Sequence, residues 1–326
     1  MSLLHGALPA RFRKPSLLIV GCGDIGLRVA AQLRGRFRVA ALSSSPARFD
    51  ALRAAGVRPL AGNLDDAATL SRIGPFAQRL LHLAPPQNDG AHDQRTRHLL
   101  RALRARRAGI VSVGPMGRER WVYGSTTGVY GDRAGAWVGE TAPVQPLTPR
   151  AQRRVSAERQ LRAAAIARGA TQTTLRIPGI YDTQARSPRA RLLAGTPALV
   201  PADDVITNHI HADDLARSCI AALFRGKPQR TVNVSDDTQL PMGDYFDLAA
   251  DALGLPRPPR ITRTQAEQAL SPMQMSFLRE SRRLHNRRLK AELRVRLRWP
   301  TVHAAFDAAA SLHAALPTDV SSGIHA

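Results

Sequence analysis

Apolar and polar positions alternate along this chain in two rhythms. Strand-like segments, the first of them a nearly continuous apolar run, fall at 16–20, 38–42, 57–61, 79–83, 120–124 and 173–177. Between them, apolar residues recur three and four positions apart at 25–33, 47–55, 94–107 and 151–168. Continuous runs suit strands buried on both faces, and the longer spacing suits helices with one face on a core. Strands alternating with helices predict an α/β fold built on a doubly wound parallel sheet. From about residue 181 the rhythm changes. Loops rich in Pro and Gly surround a short strand at 231–234 and helices at 213–224 and 242–252, and a Pro- and Arg-rich connector runs over 256–263.

The first strand leads into Gly21-x-Gly23-x-x-Gly26, which opens the first helix. In that order the first glycine makes a tight turn and the second lets a diphosphate approach the backbone. The third lets helix and strand pack closely, while the helix head offers free N–H groups. Gly21, Cys22, Gly23, Asp24, Ile25 and Gly26 are therefore candidate cofactor residues. A dinucleotide-binding sheet of the Rossmann type is expected over 16–180. An N-terminal extension at 1–15 precedes it. A smaller α/β C-terminal cap at 181–311 follows, interleaved with the last sheet strands, and then a flexible tail at 312–326. The second strand ends Ser43-Ser44-Ser45-Pro46-Ala47-Arg48, with no acid for ribose hydroxyls. Ser43, Ser44 and Arg48 suit a 2′-phosphate, so NADP is favoured over NAD.

Charge alters this reading only slightly. The 326 residues carry 47 basic and 25 acidic side chains, a net charge of +22. Codon bias accounts for arginine replacing lysine everywhere except Lys14, Lys227 and Lys290, but not for the shortage of acids, so some attraction to polyanions is expected. The basic runs at 101–107 and 282–288 alternate with leucines and lack interleaved aromatics, as solvated helix faces do, so no specific nucleic acid is expected. No apolar run approaches the ~20 residues that span a bilayer, and in 1–15 the basic residues follow the apolar patch, the wrong order for a secretory signal. A cytoplasmic protein is expected. Cys22 and Cys219 have no metal-ligand spacing, and Cys22 reads as a small residue that fits its turn.

Further motifs carry a resemblance. Gly62-Asn63-Leu64-Asp65 follows the third strand, and Leu83-Ala84-Pro85-Pro86 ends the fourth. Then come Ser125-Thr126-Thr127-Gly128-Val129-Tyr130, Leu175-Arg176-Ile177-Pro178-Gly179-Ile180-Tyr181, His209-Ile210-His211-Ala212-Asp213 and Val232-Asn233-Val234. In this order, over nearly the whole chain, they resemble the extended short-chain dehydrogenase/reductases, in particular the NAD-dependent epimerase/dehydratase branch. The resemblance implies that Asn63 and Leu64 lie near the adenine, that Leu83, Ala84 and Pro85 lie under the nicotinamide ribose, and that Pro178 covers the nicotinamide. It also implies a homodimer through the helices after the fourth and fifth strands.

Two departures stand out. The first two glycines are closer together than in typical extended members. The family's Tyr and Lys, which follow a Pro on one helix, fall on Arg150 and Arg154, between Pro149 and Glu158. Arginine does not deprotonate in a protein, so neither residue can shuttle the proton that the family's Tyr carries. Arg154 can still supply the electrostatic part of the Lys, and Thr126 can hold a substrate oxygen. Tyr130, Tyr181, His209 and His211 are further acid–base candidates. Two arginines facing the cleft would mean an anionic small-molecule substrate held bidentately. The leading expectation is a divergent NAD(P)-dependent oxidoreductase or epimerase acting on a carbonyl, alcohol or sugar derivative. The alternatives are a non-catalytic NAD(P)-binding sensor or scaffold and a polyanion-binding protein on a borrowed fold.

Overall fold

The computed structural model describes residues 14–104 and 119–315, with 310–315 described by backbone alone. Seven strands form one fully parallel sheet: β1 (Ser16–Val20), β2 (Arg38–Ser43), β3 (Arg58–Ala61), β4 (Arg79–His82), β5 (Arg120–Thr126), β6 (Thr171–Ile177) and β7 (Arg230–Asn233). Their spatial order is β7-β6-β5-β4-β1-β2-β3. The order reverses between β1 and β4, where Leu17 to Val20 lie in register with Arg79 to His82. A parallel sheet wound outward from such a point leaves a crevice beyond the strands' carboxyl ends, where ligands bind. This is the Rossmann-type α/β architecture expected from the sequence.

Helices cover both faces. On one side α1 (Asp24–Gln32), α2 (Phe49–Ala54) and α5 (Ala212–Arg225) share a core with Leu17, Ile19, Val122 and Leu175. On the other, α3 (Gln94–Arg104) and α4 (Pro149–Arg168) pack on Leu18, Val20, Trp121 and Tyr123. β1 is buried at every position because both faces are covered. α4 starts where Thr148 accepts a hydrogen bond from Ala151 N ahead of Pro149, and stops at Gly169, whose φ of +66° suits glycine.

The cap forms around α6 (Met242–Leu253) and α7 (Val302–Ala315), with Tyr181, Tyr245, Ala249 and Phe306 in its core. Short parallel pairs tie it to the sheet, His209–His211 on Gly179–Tyr181 and Arg283–Leu284 on Trp137–Val138. Among the described residues no helix is long and apolar enough to cross a membrane. Of the expected tail, 312–315 continues α7 as helix, while 316–326 lies outside the described residues. So do residues 105–107 of the helix expected at 94–107, and all but Lys14 and Pro15 of the expected extension.

Candidate functional site

At the switch point the chain leaves β1 through Gly21, at φ +87°. A Cβ there would stand 2.3 Å from Ala84 N, because Leu83 N and Ala84 N both donate to Val20 O, at 2.7 and 3.0 Å. Gly26 is less constrained, its Cβ position lying 3.2 Å from Ile19 Cγ2 and Cys22 Sγ, side-chain atoms that need give only a few tenths of an ångström. Gly23 differs: nothing lies within 4 Å of its Cβ position. The protein needs glycine at 21 for its own packing and is tightly packed at 26, whereas at 23 it leaves open space at the head of α1. That open space fits a dinucleotide diphosphate. Cys22 is buried, and burial pushes its thiol up to about 11 against the pull of Arg48. It stays a packing residue.

Asp24 sits in the first turn of α1, where Arg28 holds one carboxylate oxygen at 2.8 Å and Arg186 the other at 2.6 Å. Burial raises its pKa, but these hydrogen bonds overcome that and hold it below the ordinary value. Arg28 also reaches Asp182 at 2.7 Å and Asp213 at 2.5 Å. Arg186 therefore lines the crevice beside the head of α1, and nothing in its sequence context marked it.

Toward the β2 and β3 ends, Ser43 Oγ turns onto its own loop and donates to Ser45 O at 3.2 Å, and Ser44 is exposed. Arg48 Nη2 donates to Cys22 O at 2.7 Å, which draws the guanidinium over the glycine turn. Asn63 Oδ1 accepts from Asp65 N, and His98 Nδ1 lies 2.8 Å from the carbonyl of buried Leu64. Ser43, Ser44, Arg48, Asn63 and Leu64 lie outside a cavity of about 370 Å³ lined by Gly21, Gly23, Asp24, Ile25, Gly26, Leu83, Pro85, Thr126, Arg150, Arg154, Pro178 and Arg186. Ala84 lies beneath the turn, its Cα 2.7 Å from the Gly21 Cβ position.

The two arginines of α4 take different places. Arg154 Nη1 donates to Gly124 O at 2.8 Å and to Tyr123 Oη at 3.1 Å, on the crevice floor. Tyr123 is buried, and burial pushes its phenol up to about 12 in spite of Arg154. Beside it burial drives His82 down to about 4, and its Nε2 lies 3.0 Å from Thr96 Oγ1. Tyr123 and His82 lie buried behind the crevice, on two neighbouring strands, and of this group only Arg154 lines the crevice and was a candidate from the sequence. Arg150 instead borders both the crevice and a second cavity, with its guanidinium 5.5 Å from the centre of the Phe277 ring.

Thr126 also borders both cavities, its Oγ1 accepting from Gly128 N at 3.3 Å. Behind it Ser125 Oγ donates to Glu158 at 2.6 Å, and Arg176 grips the same carboxylate at 2.8 and 3.2 Å.

Four acid–base candidates lie elsewhere. Tyr130 is fully buried under Arg176, donates to Asn233 Oδ1 at 2.6 Å and borders neither cavity, so the expectation of catalysis there is corrected. Tyr181 is buried among cap aromatics, and burial raises its phenol further. His209 stacks on Tyr245 at 4.2 Å and is driven by burial to about 3. His211 Nδ1 caps α5 by accepting from Asp213 N.

With this geometry in place, residues 17–111 match the model of the TrkA-N domain, an NAD(P)-binding Rossmann domain. No curated protein matches the chain. Among solved structures, a dTDP-glucose 4,6-dehydratase from Streptomyces venezuelae with NAD bound superposes with a TM-score of 0.70 at 20% identity, over 91% of this chain and 96% of that one. The UDP-glucose 4-epimerase of Thermotoga maritima gives 0.69 at 18% identity, over 91% and 98%. At such identities these two show a shared fold. A functionally unknown conserved protein from Silicibacter pomeroyi is 31% identical over 92% of this chain and 99% of its own, with a TM-score of 0.75. The chain belongs to the same family as that Silicibacter pomeroyi protein.

Proposed function

We propose that the crevice binds NADP or NAD and that the protein is a divergent oxidoreductase or epimerase acting on a carbonyl, alcohol or sugar derivative. The observation that carries this reading is the space left at Gly23, at the head of α1, on a sheet whose order reverses there. Gly21 to Gly26 would cradle the diphosphate, Arg154 would face the nicotinamide ribose, and Pro178 would cover the nicotinamide. The bound nicotinamide supplies a hydride donor or acceptor. Thr126 would orient the substrate oxygen at the junction of the two cavities. Arg48 favours NADP, since a guanidinium beside the glycine turn attracts a 2′-phosphate.

Protein fluorescence titrated with NADPH and with NADH tests the binding, and Arg48→Glu should weaken NADPH while sparing NADH. A panel of alcohols and carbonyls followed by nicotinamide absorbance, with product analysis for epimers, tests the chemistry. A second reading, a non-catalytic NAD(P) sensor, draws support from one feature: the two helix positions facing the crevice carry arginines, and Tyr130 is walled off from it. Tight cofactor binding with no turnover across the panel would select it.

A further inference from the structure

We infer that the second cavity, between sheet and cap, is a subsite for a small organic monoanion, a carboxylate, with Arg150 as its counter-ion. The cavity measures about 310 Å³, at the small end of ligand sites. It joins the first at Thr126, Arg150 and Pro178, so its occupant would lie where the nicotinamide end of a dinucleotide reaches.

Its charged lining is two guanidiniums, Arg150 and Arg282, against one carboxylate, Glu280. Arg282 is spoken for: Nη2 pairs with Glu280 Oε2 at 2.8 Å, and Nη1 donates to Gly131 O at 2.6 Å. Only 8% of Arg282 is exposed, and its Nε has no partner. Arg150 makes no ion pair among the described residues. It sits second in the 20-residue α4, at the positive end of the helix, where a cation is disfavoured and an anion favoured. Phe277 lies beside its guanidinium and forms an apolar wall with Met242 and Ile206. Arg150 is exposed and carries the one charge of this lining that no carboxylate balances, so a monoanion would balance it, and a guanidinium edge accommodates a carboxylate bidentately. Thr126 Oγ1 already accepts from Gly128 N, which leaves its hydroxyl proton for a second oxygen on the ligand. The notion of two arginines sharing one anion gives way to a division of labour, with Arg154 on the crevice floor and Arg150 at the acid.

Calling the bound acid a substrate rests on the dinucleotide reading of the adjoining crevice; binding of the acid itself does not. Calorimetric titration of the whole protein with benzoate and 2-hydroxyisovalerate, their uncharged amides and phenyl phosphate tests it, with NADPH titrated in parallel. At least one carboxylate should bind at millimolar supply, with its amide weaker by about tenfold or more. Arg150→Gln should lose the carboxylate by a similar factor while its thermal midpoint stays close to wild type, because Arg150 is exposed, and Arg150→Lys should retain some of it. Acid and amide binding alike, Arg150→Gln binding the acid as wild type does, preference for the phosphate, or no carboxylate binding would each overturn the assignment. Loss of NADPH binding alone, with carboxylate binding intact, would strike the dinucleotide reading and leave the acid subsite standing.

Discussion

Alanine at Gly21 and alanine at Gly23 should fail in opposite ways. At Gly23 the backbone has φ −81°, which any residue adopts, and an added Cβ meets nothing within 4 Å. Reduced freedom of the unfolded chain favours Ala by roughly 0.4–1 kcal/mol, and loss of glycine at the first helix's N-cap costs a similar amount, so Gly23→Ala should unfold within about 1 kcal/mol of wild type. Its methyl would stand where the diphosphate approaches, and a loss of about 100-fold in cofactor affinity corresponds to ~2.7 kcal/mol. At Gly21 the order reverses. A left-handed backbone costs Ala about 1–2 kcal/mol, and a Cβ 2.3 Å from Ala84 N must push the neighbouring backbone away, adding roughly 1–3 kcal/mol. Gly21→Ala should lower the thermal midpoint by on the order of 5–10 °C. Thermal unfolding and NADPH titration of both variants decide the matter. If Gly23→Ala binds NADPH like wild type, the open space has been misread and the diphosphate lies elsewhere.

The remaining predictions concern buried charge. Glu158→Gln strips the partner from Arg176, which is 7% exposed at its side chain, and should cost about 3–5 kcal/mol in urea unfolding. Arg154→Met leaves the buried Tyr123 hydroxyl without its partner; a destabilisation of about 1–3 kcal/mol together with weaker NADPH binding is expected, and undiminished affinity would remove Arg154 from the cofactor site. Burial raises Asp236 from 3.8 to about 7, so the folded state keeps a proton that the unfolded state has lost between those values, and stability from this group falls as pH rises through that window. His209 and His82, depressed by burial to about 3 and about 4 from 6.5, act in the other sense and lose stability as pH falls. Asp236→Asn should therefore gain on wild type steadily from pH 4 to 7, with the histidines cancelling in the difference; a flat difference would show that Asp236 is ionised throughout.

What could be read from the sequence was local. β1, β2 and the glycine turn announce themselves because every position of β1 is buried and consecutive. β6 begins two residues before the strand expected at 173–177, at the buried polar residues Thr171 and Gln172, which carry no apolar signal; Gln172 Nε2 donates to Thr174 Oγ1 at 2.8 Å. The two-residue strands of the cap are too short to have a period at all. Site partners separated along the chain were equally hidden. Arg186 reaches Asp24 across 162 positions, and the Tyr123–Arg154 contact joins a strand to a helix. Motif position placed Tyr130 beside the site, but its ring turned inward, since a phenol at that strand end can donate to Asn233 and stack under Arg176.

The grip of Arg28 has its own consequence. One guanidinium fastens the head of α1, the loop after Tyr181 and the head of α5, so three stretches of chain share a single electrostatic rivet at the rim of the cleft. Asp182 is only 5% exposed at its side chain, and partly buried pairs are screened far less than exposed ones as ionic strength rises. The three stretches should therefore stay joined at salt concentrations that part ordinary surface pairs.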